Sequence, residues 1–218
     1  MTHALLKEIP LSGVQVLSLL PEYPAKIARE LSPLLQKADI KTYQNFLLTM
    51  YFYTYKAEDM LTHARNLAPD PTLQTYFHKM AREERGHYLL AKKDFEEFGL
   101  SIEARPEPTF VSNFRDFWFG LGKQSINEFL GALYVFENVA SLVGKDVIEM
   151  MQRLELTRKQ SRWLRVHLEA DVGHGEDALN ICKQYVDDSP EAMLRAVAEG
   201  AEEWMNVFRY ALSNKIVD

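Results

Sequence analysis

The clearest indication of the fold class is the segment SINEFLGALYVFENVASLVGKDVIEMMQRL, residues 125–154. Its apolar residues recur at spacings of three and four, which is the pattern of an amphipathic helix. Ser125 followed by Glu128 is a capping box that starts such a helix. We therefore expect one helix from Ser125 to about Leu154. The segments on both sides show the same periodicity, so the sequence predicts an all-α helical bundle.

Clusters of glycine and proline divide the rest of the chain into helical segments. Asp70 is a good N-cap, Pro71 suits the first helical position, and Gly99 follows the last periodic residue of that segment. We expect a single domain over residues 1–218, with residues 1–23 as an N-terminal extension and the bundle starting at about residue 24. Six further helices are predicted, namely 25–37, 41–67, 71–98, 111–119, 157–186 and 190–214.

Composition excludes several classes of function. The 218 residues carry a net charge of −6 without a basic cluster, which argues against nucleic-acid binding. Neither a signal peptide nor an apolar run long enough to cross a membrane is recognisable, and a lone cysteine, Cys182, suits a reduced compartment. We therefore expect a cytoplasmic protein with no membrane or nucleic-acid partner. A homodimer is one alternative for its oligomeric state.

A metal-ligand pattern lies in RVHLEADVGHGE, residues 165–176. At about 100° per residue, His167, Asp171 and His174 project from one face of a helix and could converge on one ion. Imidazole together with carboxylate suits iron, manganese or zinc rather than magnesium or calcium. The alternative is a chance register on a solvated helix face.

A second pattern is Glu84-x-x-His87 in AREERGHYLL, residues 81–90. A carboxylate and an imidazole one turn apart on one helix can grip the same ion, as in helical carboxylate metal proteins. The adjacent Glu83 could serve in place of Glu84. Alone, such a pair is also common on exposed helix surfaces.

The third pattern is Glu137, which lies on an apolar stripe formed by Leu130, Leu133 and Ala140. A carboxylate that faces the core requires a cation, a hydrogen-bond network or a proton. The alternative is a structural carboxylate paired with an arginine such as Arg165. With the other two patterns it gives three carboxylates and three histidines, a set suited to two metal ions: Glu84, His87, Glu137, His167, Asp171 and His174.

In order and spacing, these six residues resemble the ligands of the heme-oxygenase-like diiron oxidases and related iron-containing redox enzymes. The similarity spans roughly residues 41–185, and GALYVFENVASLVG (131–144) also resembles the distal helix of bacterial heme oxygenases. The resemblance implies the heme-oxygenase-like fold of about seven helices. Some members carry the first carboxylate seven residues before the histidine, where this chain has Met80.

The resemblance further implies two iron ions, or iron and manganese, that activate dioxygen to oxidise a small organic substrate such as a fatty acid, an amino acid or an amine. Three alternatives remain. Heme is disfavoured because Asn138 and Val139 would crowd it and only His3 lies early in the chain. A ferritin-like protein predicts two Glu-x-x-His motifs. A small-molecule binding or thiaminase-type protein would lack redox metal chemistry, and Cys182 is poorly placed to be its nucleophile.

Overall fold

The computed structural model describes residues 11–103 and 105–213, and for residues 170–172 it describes the backbone alone. These residues form α-helices and two short 3-10 helices, Arg158–Gln160 and Val186–Asp188, and contain no strand, which confirms the all-α class. None of the described helices is both long enough and apolar enough to cross a membrane. The ten α-helices are α1 (Gly13–Leu19), α2 (Glu22–Lys37), α3 (Ile40–Thr54), α4 (Ala57–Leu67), α5 (Pro71–Glu84), α6 (His87–Glu96), α7 (Thr109–Gly120), α8 (Ile126–Arg153), α9 (Arg162–Tyr185) and α10 (Pro190–Ala211).

The long helix α8 lies at the centre of the bundle and packs against α2, α9 and α10. Its start follows the prediction in part, because the Ser125 hydroxyl accepts the backbone N–H of Asn127. The expected capping box is wrong for Glu128, whose side chain was predicted to accept the backbone N–H of Ser125. The carboxylate of Glu128 instead accepts the backbone N–H of Gly122 and the guanidinium of Arg195, and so ties α8 to the preceding turn and to α10.

Two helices that the periodicity predicts as continuous are each broken. The segment 41–67 divides into α3 and α4 around residues 55–56, after the Thr54 hydroxyl has bonded back to the carbonyl of Met50. The segment 71–98 divides into α5 and α6 at Arg85 and Gly86, because Gly86 adopts a left-handed φ of 83°. Hydrophobic periodicity does not detect such a break, since the apolar face continues on both sides of it.

The chain before residue 24 contains a helix that the sequence pattern does not predict. α1 begins with a complete capping box between Ser12 and Gln15, and Val16 and Leu20 are fully buried. The Thr157–Gln160 capping box is present but starts a 3-10 helix, so that α9 begins only at Arg162. The predicted end of the last helix, Asn214, lies outside the described residues.

Candidate metal centre

Three predicted ligands from three helices meet inside the bundle. Glu84 is the last residue of α5, His87 is the first of α6, and His167 lies in the second turn of α9. One ligand atom from each lies within 4.8 Å of the other two. The expectation that Glu84 and His87 belong to one continuous helix is wrong, because the left-handed Gly86 separates them. The three side chains are nevertheless close enough to share one ion.

Glu84 is held as an anion by its surroundings. Burial alone would raise the pKa of Glu84, but the hydrogen bond to His87 and the positive charge that the rings of His167, His87 and His174 carry when protonated outweigh burial and lower it. The bond joins Glu84 Oε2 to Nδ1 of His87 over 3.1 Å. A buried carboxylate that stays ionised beside imidazoles has the charge that a metal ligand requires.

His167 is oriented by Trp163, one turn earlier on α9. Its Nδ1 lies 2.8 Å from the Trp163 carbonyl oxygen, which can only accept, so Nδ1 carries the proton and Nε2 is left to bind an ion. The two rings stack with centroids 3.8 Å apart. Burial lowers the pKa of His167, although the charge of Glu84 opposes this, and so favours the neutral imidazole that metals bind.

A second cluster is centred on His174, which lies between two carboxylates. Its Nδ1 is 3.3 Å from Glu137 Oε2 and its Nε2 is 3.2 Å from Glu83 Oε2. The adjacent residues Glu83 and Glu84 therefore face different histidines. His167 lies beside Glu84 and His87, and His174 lies beside Glu83 and Glu137 about 10 Å of helical rise further along α9.

Glu137 faces the interior at the second cluster. Burial raises the pKa of Glu137, and the hydrogen bond and charge of His174 oppose this rise only in part. The structural alternative, a pair with Arg165, is not what the geometry shows, because the Arg165 side chain donates to the hydroxyl of Ser161. A bound cation would favour the ionised form that burial disfavours.

The backbone of α9 approaches α8 closely beside this cluster. A Cβ on Gly175 would lie 2.9 Å from Oδ1 of Asn138 and 3.1 Å from the carbonyl oxygen of Glu137. The glycine after His174 therefore lets the imidazole reach Glu137. Asp171 lies in α9 one turn from both His167 and His174, and its side chain is outside the described residues. The sequence patterns did not single out Gly86, Trp163 or Gly175. The positions of Gly86 and Gly175, each next to a predicted histidine ligand, were the one sequence feature that could have indicated their role.

An apolar chamber of about 160 Å³ adjoins both clusters. Glu84, Glu137 and His167 form its polar wall, and the hydroxyls of Tyr53 and Thr54 are engaged with Trp204 and the backbone of Met50. Among the described lining residues none is lysine or arginine. The remaining wall is almost entirely aliphatic or aromatic, including Leu31, Leu35, Phe46, Phe114, Leu133, Phe136, Val147, Trp163 and Phe208.

The donor set fits first-row transition metal ions. Carboxylates and imidazoles suit iron, manganese and zinc, and oxygen ligands alone would be expected for magnesium or calcium. Glu84 is anionic, and His167 is neutral with its free nitrogen available, as ligands must be. The candidate ligands come from α5, α6, α8 and α9, which pack around a single interior region.

A helical bundle with carboxylates and imidazoles turned inward is the arrangement found in helical carboxylate metal proteins. A family model described as iron-containing redox enzyme matches residues 44–209, and the chain belongs to that family. The match covers all of the candidate ligands. No curated protein matches the chain significantly.

Solved structures share the fold at low sequence identity. A domain of unknown function with a heme oxygenase-like fold from Shewanella denitrificans superposes with a TM-score of 0.74 and 15% identity, covering 91% of this chain and 89% of its own. A TenA homolog from Pseudomonas syringae gives 0.74 and 13%, covering 91% of each chain. A TenA homologue from P. horikoshii gives 0.70 and 15%, covering 92% and 99%. The heme-oxygenase-like fold is thus confirmed.

Proposed function

We propose that this protein is a dioxygen-dependent oxidase or oxygenase that binds two iron ions, or iron and manganese, and oxidises a small, mainly apolar substrate. The observation that carries the proposal is the pair of adjoining clusters, Glu84–His87–His167 and Glu137–His174, beside one chamber. Membership of the iron-containing redox enzyme family supports the metal. Asp171 is proposed as a further ligand from its position between the two histidines of α9.

The chain would hold the first ion with Glu84, His87 and His167, and the second with Glu137 and His174. Two ferrous ions, or iron and manganese, would supply two electrons to dioxygen when bound, and the remaining electrons would come from the organic substrate or from an external reductant. The Trp163 carbonyl keeps the proton of His167 on Nδ1, so Nε2 stays available. Aromatic side chains around the chamber exclude water from the reacting groups, and Phe114, Phe136 and Trp163 belong to this wall.

The chamber supports an apolar substrate body. Its two hydroxyl-bearing residues are already hydrogen-bonded, and the described lining residues include no lysine or arginine that could pair with a carboxylate. The buried indole N–H groups of Trp118 and Trp163 are the donors of the described wall that have no hydrogen-bond partner. A buried charge or amine without a partner would cost several kcal/mol. Charged atoms of the substrate are therefore expected at the clusters, a neutral acceptor could also face the indole N–H of Trp118 or Trp163, and the rest of the molecule is expected to be hydrocarbon.

The proposal is tested by anaerobic loading with ferrous iron, removal of free metal and elemental analysis. About two equivalents per chain are expected, and His167→Ala should lose at least one, because it removes a ligand from the first cluster. His78→Ala is the matched control, since His78 is an exposed histidine on α5 away from both clusters. Equal iron content in all three proteins would contradict the assignment.

A thiaminase-type reaction, the main rival, would require a cysteine nucleophile. Cys182 is fully buried, its thiol contacts the carbonyl of Leu130, and burial raises its pKa to about 12. It is also absent from the described chamber wall. Thiolate at neutral pH is therefore negligible, and the reaction is not favoured. Cys182→Ala should leave oxygen consumption of the iron-loaded protein unchanged, whereas thiamine cleavage by the wild-type protein that is lost in a folded Cys182→Ala variant would revive the rival.

A binding module that uses the chamber without redox turnover is the second rival. Oxygen consumption distinguishes the two. Ferrous protein exposed to air should consume dioxygen faster than an equal amount of His167→Ala protein carried through the same loading. Identical rates would favour the binding module.

A further inference from the structure

A fully buried carboxylate, Asp94, lies outside both ligand clusters. It is on α6 with 0% exposure. Its Oδ2 accepts the backbone N–H of Trp163 over 2.9 Å, and its Oδ1 accepts Nη1 of Arg162 over 3.2 Å. A second nitrogen of Arg162 reaches the carboxylate of Glu97 over 3.0 Å. Asp94 therefore joins α6 to the first turn of α9.

The start of α9 depends on this contact. The first N–H groups of a helix have no partner within the helix and are usually bonded by the N-cap side chain. Ser161, the N-cap of α9, makes no such bond, because its hydroxyl donates to the carbonyl of Thr157 and accepts from Arg165. The acceptor comes from α6 instead. Asp94 of α6 thus caps the start of α9, a role that the side chain of the N-cap residue usually performs.

The same contact leads directly to the first metal cluster. Trp163 is bonded through its N–H to Asp94 and through its carbonyl to Nδ1 of His167, and its ring stacks on the His167 ring. His87, on α6, lies seven residues before Asp94, which is about 10 Å along the helix. The rings of His87 and His167 are 4.9 Å apart. One side chain therefore fixes the two helices that carry these histidines.

We propose that Asp94 is a positioning residue for the metal centre, which holds Trp163 so that His167 turns Nε2 toward the ion shared with Glu84 and His87. The inference rests on the proposed function for the ion itself. A carboxylate suits this position because two donors converge on it and each of its oxygens accepts one of them. Arg162 compensates the buried charge.

Asp94→Asn tests this role because the amide keeps the shape but offers one acceptor and presents an NH₂ group to the second donor. The control is Glu97→Gln, which changes the other carboxylate that contacts Arg162 and is 35% exposed. Cobalt(II) is the probe, since its visible absorption reports the geometry of its ligands. We expect Asp94→Asn to weaken cobalt binding by up to roughly tenfold and to alter that absorption, because it loosens Trp163, whose carbonyl is the outer partner of His167, and direct loss of such a partner costs about 10- to 100-fold. Glu97→Gln should stay within about twofold.

A merely structural role gives a different result. It predicts a lower Tm for metal-free Asp94→Asn. It also predicts unchanged cobalt affinity and absorption at a temperature where the variant is folded. Unchanged cobalt binding of this kind would overturn the inference. If Asp94→Asn does not fold, Arg162→Gln is the second variant, because it leaves the carboxylate and removes its charged partner. Arg162→Gln should weaken cobalt binding several-fold. Wild-type cobalt affinity in this variant would also overturn the inference.

The proposed function can fail separately from this inference. His167-dependent cobalt binding that is insensitive to Asp94→Asn defeats the positioning role and leaves the metal centre intact. Absence of cobalt binding by the wild-type protein defeats both.

Discussion

Glu84 and His87 lie on opposite sides of a left-handed glycine, with Oε2 of the one 3.1 Å from Nδ1 of the other. The break at Gly86 turns the start of α6 relative to the end of α5. The relative direction of the two ligands therefore depends on the backbone conformation of Gly86 rather than on helical spacing. Substitution of Gly86 tests this dependence.

Gly86→Ala should cost about 1 kcal/mol of stability, because a residue with a Cβ is strained at a φ of 83°. It should also weaken metal binding, measured by cobalt titration, by about tenfold. Gly99→Ala is the matched control, since Gly99 has a φ of 74°, open space around it and no ligand nearby. We expect the two variants to have similar free energies of unfolding. Only Gly86→Ala should bind metal more weakly. Equal affinities in the two variants would show that the break does not set the ligand geometry.

Gly175→Ala tests the close approach of α9 to α8. Its methyl group would meet Asn138 and the backbone of Glu137, so we expect a loss of about 1 to 3 kcal/mol in the free energy of unfolding and reduced binding of the second ion. Gly173→Ala, with nothing within 4 Å, should instead stabilise α9 by up to about 1 kcal/mol. Denaturant unfolding measures both changes. The idea that close packing places His174 beside Glu137 is wrong if Gly175→Ala is as stable as Gly173→Ala.

The buried Asp94 predicts a pH dependence of stability. Burial raises its pKa to about 6, against the hydrogen bonds from Trp163 and Arg162, whereas the unfolded value is about 4. Because the folded pKa is the higher one, its stabilising contribution is complete below about pH 4 and is lost as the pH rises through 6. Among the described residues, the ionisable groups near it include Arg162, Glu97 and the hydroxyl of Tyr43.

Wild-type protein should therefore lose stability relative to Asp94→Asn between pH 4 and pH 8, by at most about 3 kcal/mol. Denaturant unfolding of metal-free protein at several pH values measures the difference, and leaving the metal out keeps ion release from contributing. A difference that is constant with pH would show that Asp94 ionises equally readily in the folded and unfolded chain.

The chamber predicts selective binding of apolar molecules. Calorimetric titration of metal-free protein with 1-hexanol, 1-heptanol and 1-octanol should show affinity rising roughly fourfold per CH₂, from about 0.8 kcal/mol per buried group. Ala140→Phe, which fills part of the wall, should abolish the rise, and Leu142→Phe at a position that is 51% exposed should not. Tighter binding of 1,6-diaminohexane than of 1-hexanol would contradict an apolar substrate.

The sequence predicted the fold class and most candidate ligands because both depend on local periodicity. The face of α9 that carries His167 and His174, and the apolar stripe around Glu137, can be derived from 3.6 residues per turn. The division of Glu83 and Glu84 between two histidines could not be derived, because it depends on the break at Gly86. The contact between Asp94 and Trp163 joins residues 69 positions apart, and no local pattern encodes it.

We propose that carboxylates and imidazoles from α5, α6, α8 and α9 surround two ions. Anomalous diffraction from crystals loaded anaerobically with iron, recorded on both sides of the iron absorption edge, tests it most directly. We expect two peaks, one among Glu84, His87 and His167 and one beside Glu137 and His174. Iron peaks elsewhere, or none at these positions in a fully loaded crystal, would contradict it.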